Sequence, residues 1–401
     1  MAHIVVVGAG QAGASLVAKL RAEGFKGDLT LIGAEDAPPY QRPPLSKKYL
    51  MGEIDRERLY LRPMAFYADQ QISLRLGTPV SAINATDRTL RLGDEVIHWD
   101  QLAFTTGSTP RRLPAAIGGN LAGVYAVRDL ADVDAMAAEF QPGRRVLIIG
   151  GGYIGLEAAA VAASKGLKVT LVEMADRILQ RVAAPQTSDY FRELHKSKGV
   201  DLREGIGLER LTGEARVNGA DLGDGSHLEI DFAIVGVGIT PVIDLAEAAG
   251  AKIEDGIWTD EFGRTTLPDV WAAGDCASFP YRGGRLRLES VPNAIDQAEA
   301  VAVNMLGANR EYAATPWFWS DQYDIKLQIA GLGKGYNEIV TRQGDTGVSF
   351  WYFNDDKLLA VDAMNDPRGY MIGKRLIEAG KSPDKTVIAD TGSDLKALLK
   401  S

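Results

Sequence analysis

Residues 144–173 read RRVLIIGGGYIGLEAAAVAASKGLKVTLVE, an apolar run, a glycine turn, a helix of small residues and a second apolar run. Upstream, residues 3–36 read HIVVVGAGQAGASLVAKLRAEGFKGDLTLIGAED and repeat the plan. Each stretch predicts strand, turn, helix, strand. In the upstream copy Gly8 permits the tight turn, Gly10 lets the backbone approach a pyrophosphate, and Gly13 lets the helix lie close on its strand. The helix N-terminus then offers free N–H groups to the anion. This helix is expected to close at Gly24, before a strand over Leu29–Ile32. In the second copy Gly150, Gly152 and Gly155 take the same parts, the helix closes at Gly166, and a strand runs from Val169 to Glu173. A carboxylate at that strand end accepts from both ribose hydroxyls and repels a 2′-phosphate, which favours NADH over NADPH, with Arg177 and Arg181 nearby as opposing charges. Two such turns in one chain point to two dinucleotides: a resident flavin and a visiting nicotinamide.

The rest of the composition narrows the chemistry. A chain of 401 residues with 46% hydrophobic content can build two or three cored domains. No apolar run approaches the roughly 20 residues of a membrane-spanning helix, and MAHIVVVG enters a strand at once, so the chain reads as soluble, unprocessed and cytoplasmic. Forty-four basic against 53 acidic side chains give a net charge of −9, which argues against a general nucleic-acid binder. The single cysteine, Cys276, excludes a disulfide framework within the chain and a cysteine-rich metal site. His3, His98, His195 and His227 form no ligand-spaced pair and read as surface or satisfied core residues, so no metal is expected.

Eight motifs in order give the chain a family likeness: VVVGAGQAG (5–13), PYQRPPLSK (39–47), FTTGSTPRRLP (104–114), IIGGGYIGLE (148–157), VGVGITP (235–241), WAAGDCA (271–277), ESVPNAIDQA (289–298) and PWFWSDQYDIKLQIAGL (316–332). Together they resemble the FAD-containing, NADH-dependent ferredoxin reductases that serve bacterial haem monooxygenases and ring-hydroxylating dioxygenases. The resemblance implies an α/β chain with two Rossmann-like dinucleotide-binding domains of glutathione-reductase-like plan and an α+β C-terminal interface domain. The implied segments are 1–110 (FAD domain, first part), 111–240 (NAD domain), 241–317 (FAD domain, second part) and 318–401 (C-terminal domain). Within the last, VSFWYFNDDKLLAVDAMN reads as a hairpin turning at Asn354–Asp356, and GYMIGKRLIEAGK as a helix.

The resemblance also assigns residues. Gly8, Gly10, Ala12, Gly13, Arg42, Lys47, Val80, Thr106, Gly107, Arg128, Gly274, Asp275 and Val291 would contact FAD, with Asp275 on the ribitol and just ahead of an expected helix. Gly150, Gly152, Ile154, Gly155, Glu173 and Gly238 would hold NADH. Some relatives place an aspartate after Gly33 for the adenosine ribose; here the position is Ala34, and Glu35 is the candidate replacement. Lys47 would stand near the flavin ring as a stabilising cation, and Glu157, on the turn after GGGYIG, could pair with it and orient the nicotinamide.

The wider two-dinucleotide flavoprotein class often carries a C-x4-C pair soon after its first nucleotide unit. The stretch PYQRPPLSKKYL has no cysteine, so electrons must leave directly from the flavin, and Cys276 reads as a buried packing residue. Hydride transfer asks the protein chiefly for placement and charge, so no acid–base triad is expected. The implied partner is a 2Fe-2S ferredoxin. Family ferredoxins are acidic, so docking on this acidic chain calls for a local positive patch: Arg56, Arg58 and Arg62 with Lys48, or Arg282, Arg285 and Arg287. A rubredoxin reductase, an NADH oxidase and an apoptosis-inducing-factor-like, NADH-switched flavoprotein share the fold and are distinguished only by the electron acceptor.

Overall fold

The apolar runs that flank the first glycine turn become the middle of a parallel sheet. In the computed structural model, which describes residues 2–400, the chain divides into two compact units. One comprises the chain up to Gln41, Arg56–Thr109 and Ile239–Pro316; the other comprises Arg42–Asp55, Pro110–Gly238 and the chain from Trp317 onward.

In the first unit, strands Val270–Ala272, Gln101–Phe104, His3–Val7, Asp28–Ile32 and Ser73–Arg75 lie in that order, all parallel. Val5 pairs with Thr30 on one side and Leu102 on the other. Ile4, Val5 and Val6 are fully buried, as expected of a central parallel strand covered on both faces. Helix Gln11–Ala22 buries Leu16, Val17 and Leu20 against the sheet and against helix Val291–Met305. One expectation fails here. The chain beyond Asp275 enters strand Ala277–Tyr281, and the helix begins only at Val291. Ala277 to Phe279 are buried in a ladder with Ile257–Trp258, whereas Ser290 caps Asn293 N–H and Pro292 fits the first helical turn.

The second unit repeats the arrangement with strands Asp201–Glu204, Lys168–Glu173, Arg145–Ile149, Phe232–Val235 and Val124–Tyr125, again all parallel. Helix Tyr153–Ser164 buries Leu156 to Val161, and its alanines let it lie close to its neighbours. Beyond Trp317 comes an antiparallel sheet of strands Trp317–Gln322, Ile325–Gly331, Lys357–Met364, Val348–Asn354 and Glu338–Gln343. The expected hairpin is present, with Asn354 opposite Lys357 and Asp355 at φ 49°. Helix Pro367–Glu378 packs on this sheet, capped by Asp366.

A buried polar cluster ties the helix Pro185–Ser197 to that antiparallel sheet. Asp362, 2% exposed, accepts from Thr187 Oγ1 at 2.7 Å and from the Tyr352 hydroxyl, which itself accepts from Ala184 N–H at 2.8 Å. No cation joins the cluster in these contacts, and burial pushes the carboxyl up to about 6. Because the folded-state value is raised, the protonated form stabilises the fold at low pH, and that contribution is lost as pH rises through about 6. Asp362→Asn should therefore remove a fall in unfolding free energy of roughly 3 kcal/mol between about pH 4 and 7. Denaturant titrations across that range test this; curves for variant and parent that run parallel would contradict it.

Candidate functional site

Each glycine turn is shaped by what its missing side chains would strike. In the first unit Gly8 has φ 116°, and a Cβ there would lie 2.2 Å from Thr105 O; a Cβ on Gly13 would lie 2.0 Å from Gly8 O. Gly10 differs, with nothing within 4 Å of its Cβ direction. It starts a helix with no side-chain cap. The second turn matches this, with Gly150 and Gly155 closed by Gly236 O at 2.4 Å and Gly150 O at 2.1 Å, while uncapped Gly152 faces open space. Two tight packings and one open, donor-rich position are what a pyrophosphate needs. The residues present fit a dinucleotide in each unit.

Other expected contacts gather around the first turn. Ala12 Cβ would lie 3.0 Å from a Cβ on Gly274, which has φ 83° and donates its N–H to Gln297 Oε1 at 2.9 Å. Asp275 accepts from Ser108 Oγ at 2.7 Å. Thr106 Oγ1 donates to Val242 O at 2.6 Å, next to Gly107 at φ 69°. Val291 opens its helix. Glu35 accepts from the Tyr40 hydroxyl at 2.5 Å. Val80 packs half-buried against the core around Val7 and Ile32. Cys276 is fully buried with its thiol pushed up by desolvation, the setting of an inert packing residue.

In the second unit Glu173 is held by two backbone donors, Gly151 N–H at 2.7 Å and Ala175 N–H at 2.8 Å. The strand-end carboxylate is thus fixed beside the glycine turn. Ile154 is 43% exposed on the first turn of the helix. Gly238, at φ 101°, has Arg181 Nη2 3.6 Å from its Cβ direction.

Arg42, Lys47 and Arg128 also belong to this unit. Arg42 Nη1 donates to Arg128 O at 2.8 Å. Pro43 and Pro44 preset the short 3-10 turn Pro43–Ser46, and the segment is pinned by Tyr49 to Asp134 and by Lys165 to Met51 O. That turn delivers Lys47 Nζ to Glu157 Oε1 at 2.8 Å. Glu157 sits on the second helical turn rather than the first, so side chains rather than the helix N-terminus satisfy it. It is 2% exposed and also accepts from Ser46 Oγ at 2.5 Å and Ser320 Oγ at 2.7 Å. One cation and two hydroxyls thus converge on a buried carboxylate.

Sequence reasoning gave no role to Ser46 or Ser320. Their signal was present in two quoted motifs: Ser320 and Gln322 are polar residues on the same face of a strand, two apart, and both are fully buried. The second basic cluster does not survive as three available cations. Arg285 donates to Thr259 O at 2.9 Å, and Arg287, 11% exposed, pairs with Asp255 and Glu289. Arg56, Arg58 and Arg62 remain exposed, the last over the Phe66 ring. Among the described residues no cluster of three or more His, Cys, Asp or Glu could hold a metal ion, and no helix is long and apolar enough to cross a membrane.

If Lys47 is the counter-charge of Glu157, Lys47→Met should cost about 3 kcal/mol by leaving a buried charge short of its cation. The double change K47M/E157M should regain most of that loss, read by chemical denaturation. A double variant as unstable as K47M would sink the pairing argument.

Residues 2–298 match the family model described as pyridine nucleotide-disulphide oxidoreductase, and residues 317–399 match the one described as reductase C-terminal. The chain is similar to a ferredoxin–NAD(P)+ reductase of a Sphingomonas species, 45% identical over 94% of this chain and 92% of that one. It is similar to rhodocoxin reductase of Rhodococcus erythropolis, 40% identical over 99% and 94%. Among solved structures, the covalent putidaredoxin reductase–putidaredoxin complex superposes with a TM-score of 0.96 at 37% identity, covering 100% of this chain and 98% of that one.

Proposed function

The chain belongs to the pyridine nucleotide-disulphide oxidoreductase family, among its ferredoxin reductases, and from that premise we propose that it takes a hydride from NADH onto bound FAD and passes the electrons singly to a 2Fe-2S ferredoxin. The ferredoxin in turn serves a haem monooxygenase or a ring-hydroxylating dioxygenase. The observation that carries this reading is the pair of open glycine turns, Gly10 and Gly152, in a chain with one buried cysteine and hence no dithiol to relay electrons.

FAD supplies the chemistry that joins two-electron to one-electron transfer; the chain's residues bind and orient. The first unit holds FAD through Gly8, Gly10, Ala12 and Gly13, with Thr106, Gly107, Gly274, Asp275 and Val291. Arg42 offers a planar fork suited to phosphate. The second unit holds NADH through Gly150, Gly152, Ile154, Gly155 and Gly238, with Glu173 on the ribose hydroxyls. Lys47 supplies the cation that favours the reduced flavin, and Glu157 fixes Lys47 and orients the nicotinamide. Removal of Glu173 should weaken NADH more than NADPH, because a 2′-phosphate gains when the carboxylate is lost. Dissociation constants of E173A for both nucleotides check this; equal losses would remove Glu173 from the ribose site.

Arg56, Arg58 and Arg62 form the patch that meets an acidic ferredoxin, since all three are exposed, whereas Arg285 and Arg287 of the alternative cluster are engaged and leave Arg282 as its exposed member. Purified protein with its FAD should reduce a 2Fe-2S ferredoxin rapidly from NADH and oxygen slowly. R56E/R58E should slow ferredoxin reduction, flatten its salt dependence and leave reduction of a small dye unchanged. Rapid turnover with oxygen alone would make the protein an oxidase, and preference for rubredoxin would change the partner.

A further inference from the structure

A row of buried polar side chains leads away from Glu157, and the chemistry of its first member dictates the direction of every bond in it. An ionised carboxylate only accepts, so Ser320, 2.7 Å away, spends its one proton on Glu157 Oε1. The Ser320 oxygen can then only accept from the next group, and Gln322 Nε2 donates to it at 3.2 Å. With its nitrogen so used, Gln322 turns its carbonyl oxygen to His195 Nε2 at 2.8 Å. That nitrogen must carry the ring proton. Nδ1 of His195 is left an acceptor, and it takes the Tyr323 hydroxyl at 3.2 Å. Ser320, Gln322 and His195 are fully buried, so water does not compete for these bonds.

Two independent features show that the far end is built for this row. Tyr323 occupies a hairpin position at φ 54°, where glycine or asparagine is favoured and a bulky residue is strained. Its ring nevertheless lies against that of His195, tilted by 59° with centroids 5.2 Å apart, and its hydroxyl completes the row. His195 lies on helix Pro185–Ser197, while Ser320, Gln322 and Tyr323 come from one strand and its turn. The helix is therefore needed to hold the strand's amide in one orientation.

We propose that Tyr323, His195 and Gln322 are positioning residues that act through Ser320 to aim and hold the Glu157 carboxylate, by a hydrogen-bond row in which every donor points toward it. The inference rests on the role given to Glu157 above. Without the row, Gln322 can flip its amide and Ser320 can turn its hydroxyl away, and Glu157 keeps only Ser46 and Lys47.

The test reads the row directly, without NADH. In FAD-loaded full-length protein labelled with 15N-histidine, His195 should be found as the Nε2–H tautomer, identified by loss of its signals in a His195 variant. Glu157→Gln, which places a donor where the carboxylate stood, Ser320→Ala and Gln322→Met should each release that lock and give a mixture of tautomers. In stopped-flow experiments, S320A and Q322M should each slow reduction of the bound flavin by NADH about tenfold, the scale of one hydrogen bond to a charged group, with FAD content retained. In an E157Q background they should slow it no further. Tyr323→Phe keeps the ring and removes only the hydroxyl, so it tests the row if Q322M proves unstable: its tautomer mixture should rise as well. A His195 tautomer indifferent to E157Q, S320A and Y323F would overturn the proposal, as would S320A and E157Q effects that multiply. If E157Q alone left flavin reduction unchanged, the catalytic reading of Glu157 would fail, while the tautomer measurement would still decide whether the row exists.

Discussion

A carboxylate taken out of water must find donors or lose its charge, and that constraint organises the second unit around Glu157. Three donors converge on it from two distant stretches of chain, Ser46 and Lys47 from the proline turn and Ser320 from the first strand of the antiparallel sheet. The helix that carries Glu157 is the one opened by Gly152. A single helix therefore presents an uncapped N-terminus for an anion and, one turn on, a charged side chain whose direction is set by its neighbours. The small residues around Glu157 serve the same end, because they let the proline turn and the sheet come close enough to donate.

The two glycine turns show how little local sequence is needed to make a binding surface and how much packing is needed to keep it. Gly8 and Gly13 in one unit, and Gly150 and Gly155 in the other, are glycine because a backbone carbonyl stands where a Cβ would go. Gly10 and Gly152 are glycine although nothing stands there. An open glycine between two crowded ones marks a surface left for something other than protein. Glu173 adds selectivity at small cost, since two backbone N–H groups beside the turn hold its carboxylate in place.

Net charge is a poor guide to how this chain meets a partner. The total is −9, yet ion pairing consumes many charges in place. Arg287 and Arg285 look free in the sequence and are engaged in the fold, while Arg56 and Arg58 stay exposed on a short 3-10 turn. Complementarity depends on which charges remain unpaired at the surface.

Much of this was legible in the residues. The strand–turn–helix repeats, the hairpin turn at Asn354–Asp356, the absence of a dithiol and the strand-end position of Glu173 are all legible in the residues themselves, most of them as local patterns in which neighbours a few positions apart determine conformation. The stretch after Asp275 misled, because a helix start was expected from the motif while Ala277–Phe279, buried throughout, pair with Ile257–Trp258 on one side and Gly284–Leu286 on the other as a strand. Tertiary structure alone decided the rest. Ser46 and Ser320 stand 111 and 163 positions from Glu157, and His195 stands 127 from Gln322. No periodicity carries such separations. They close only when burial of the apolar faces has already brought the strands and helices together, and the unmet hydrogen-bonding capacity of one carboxylate then selects which polar side chains turn inward.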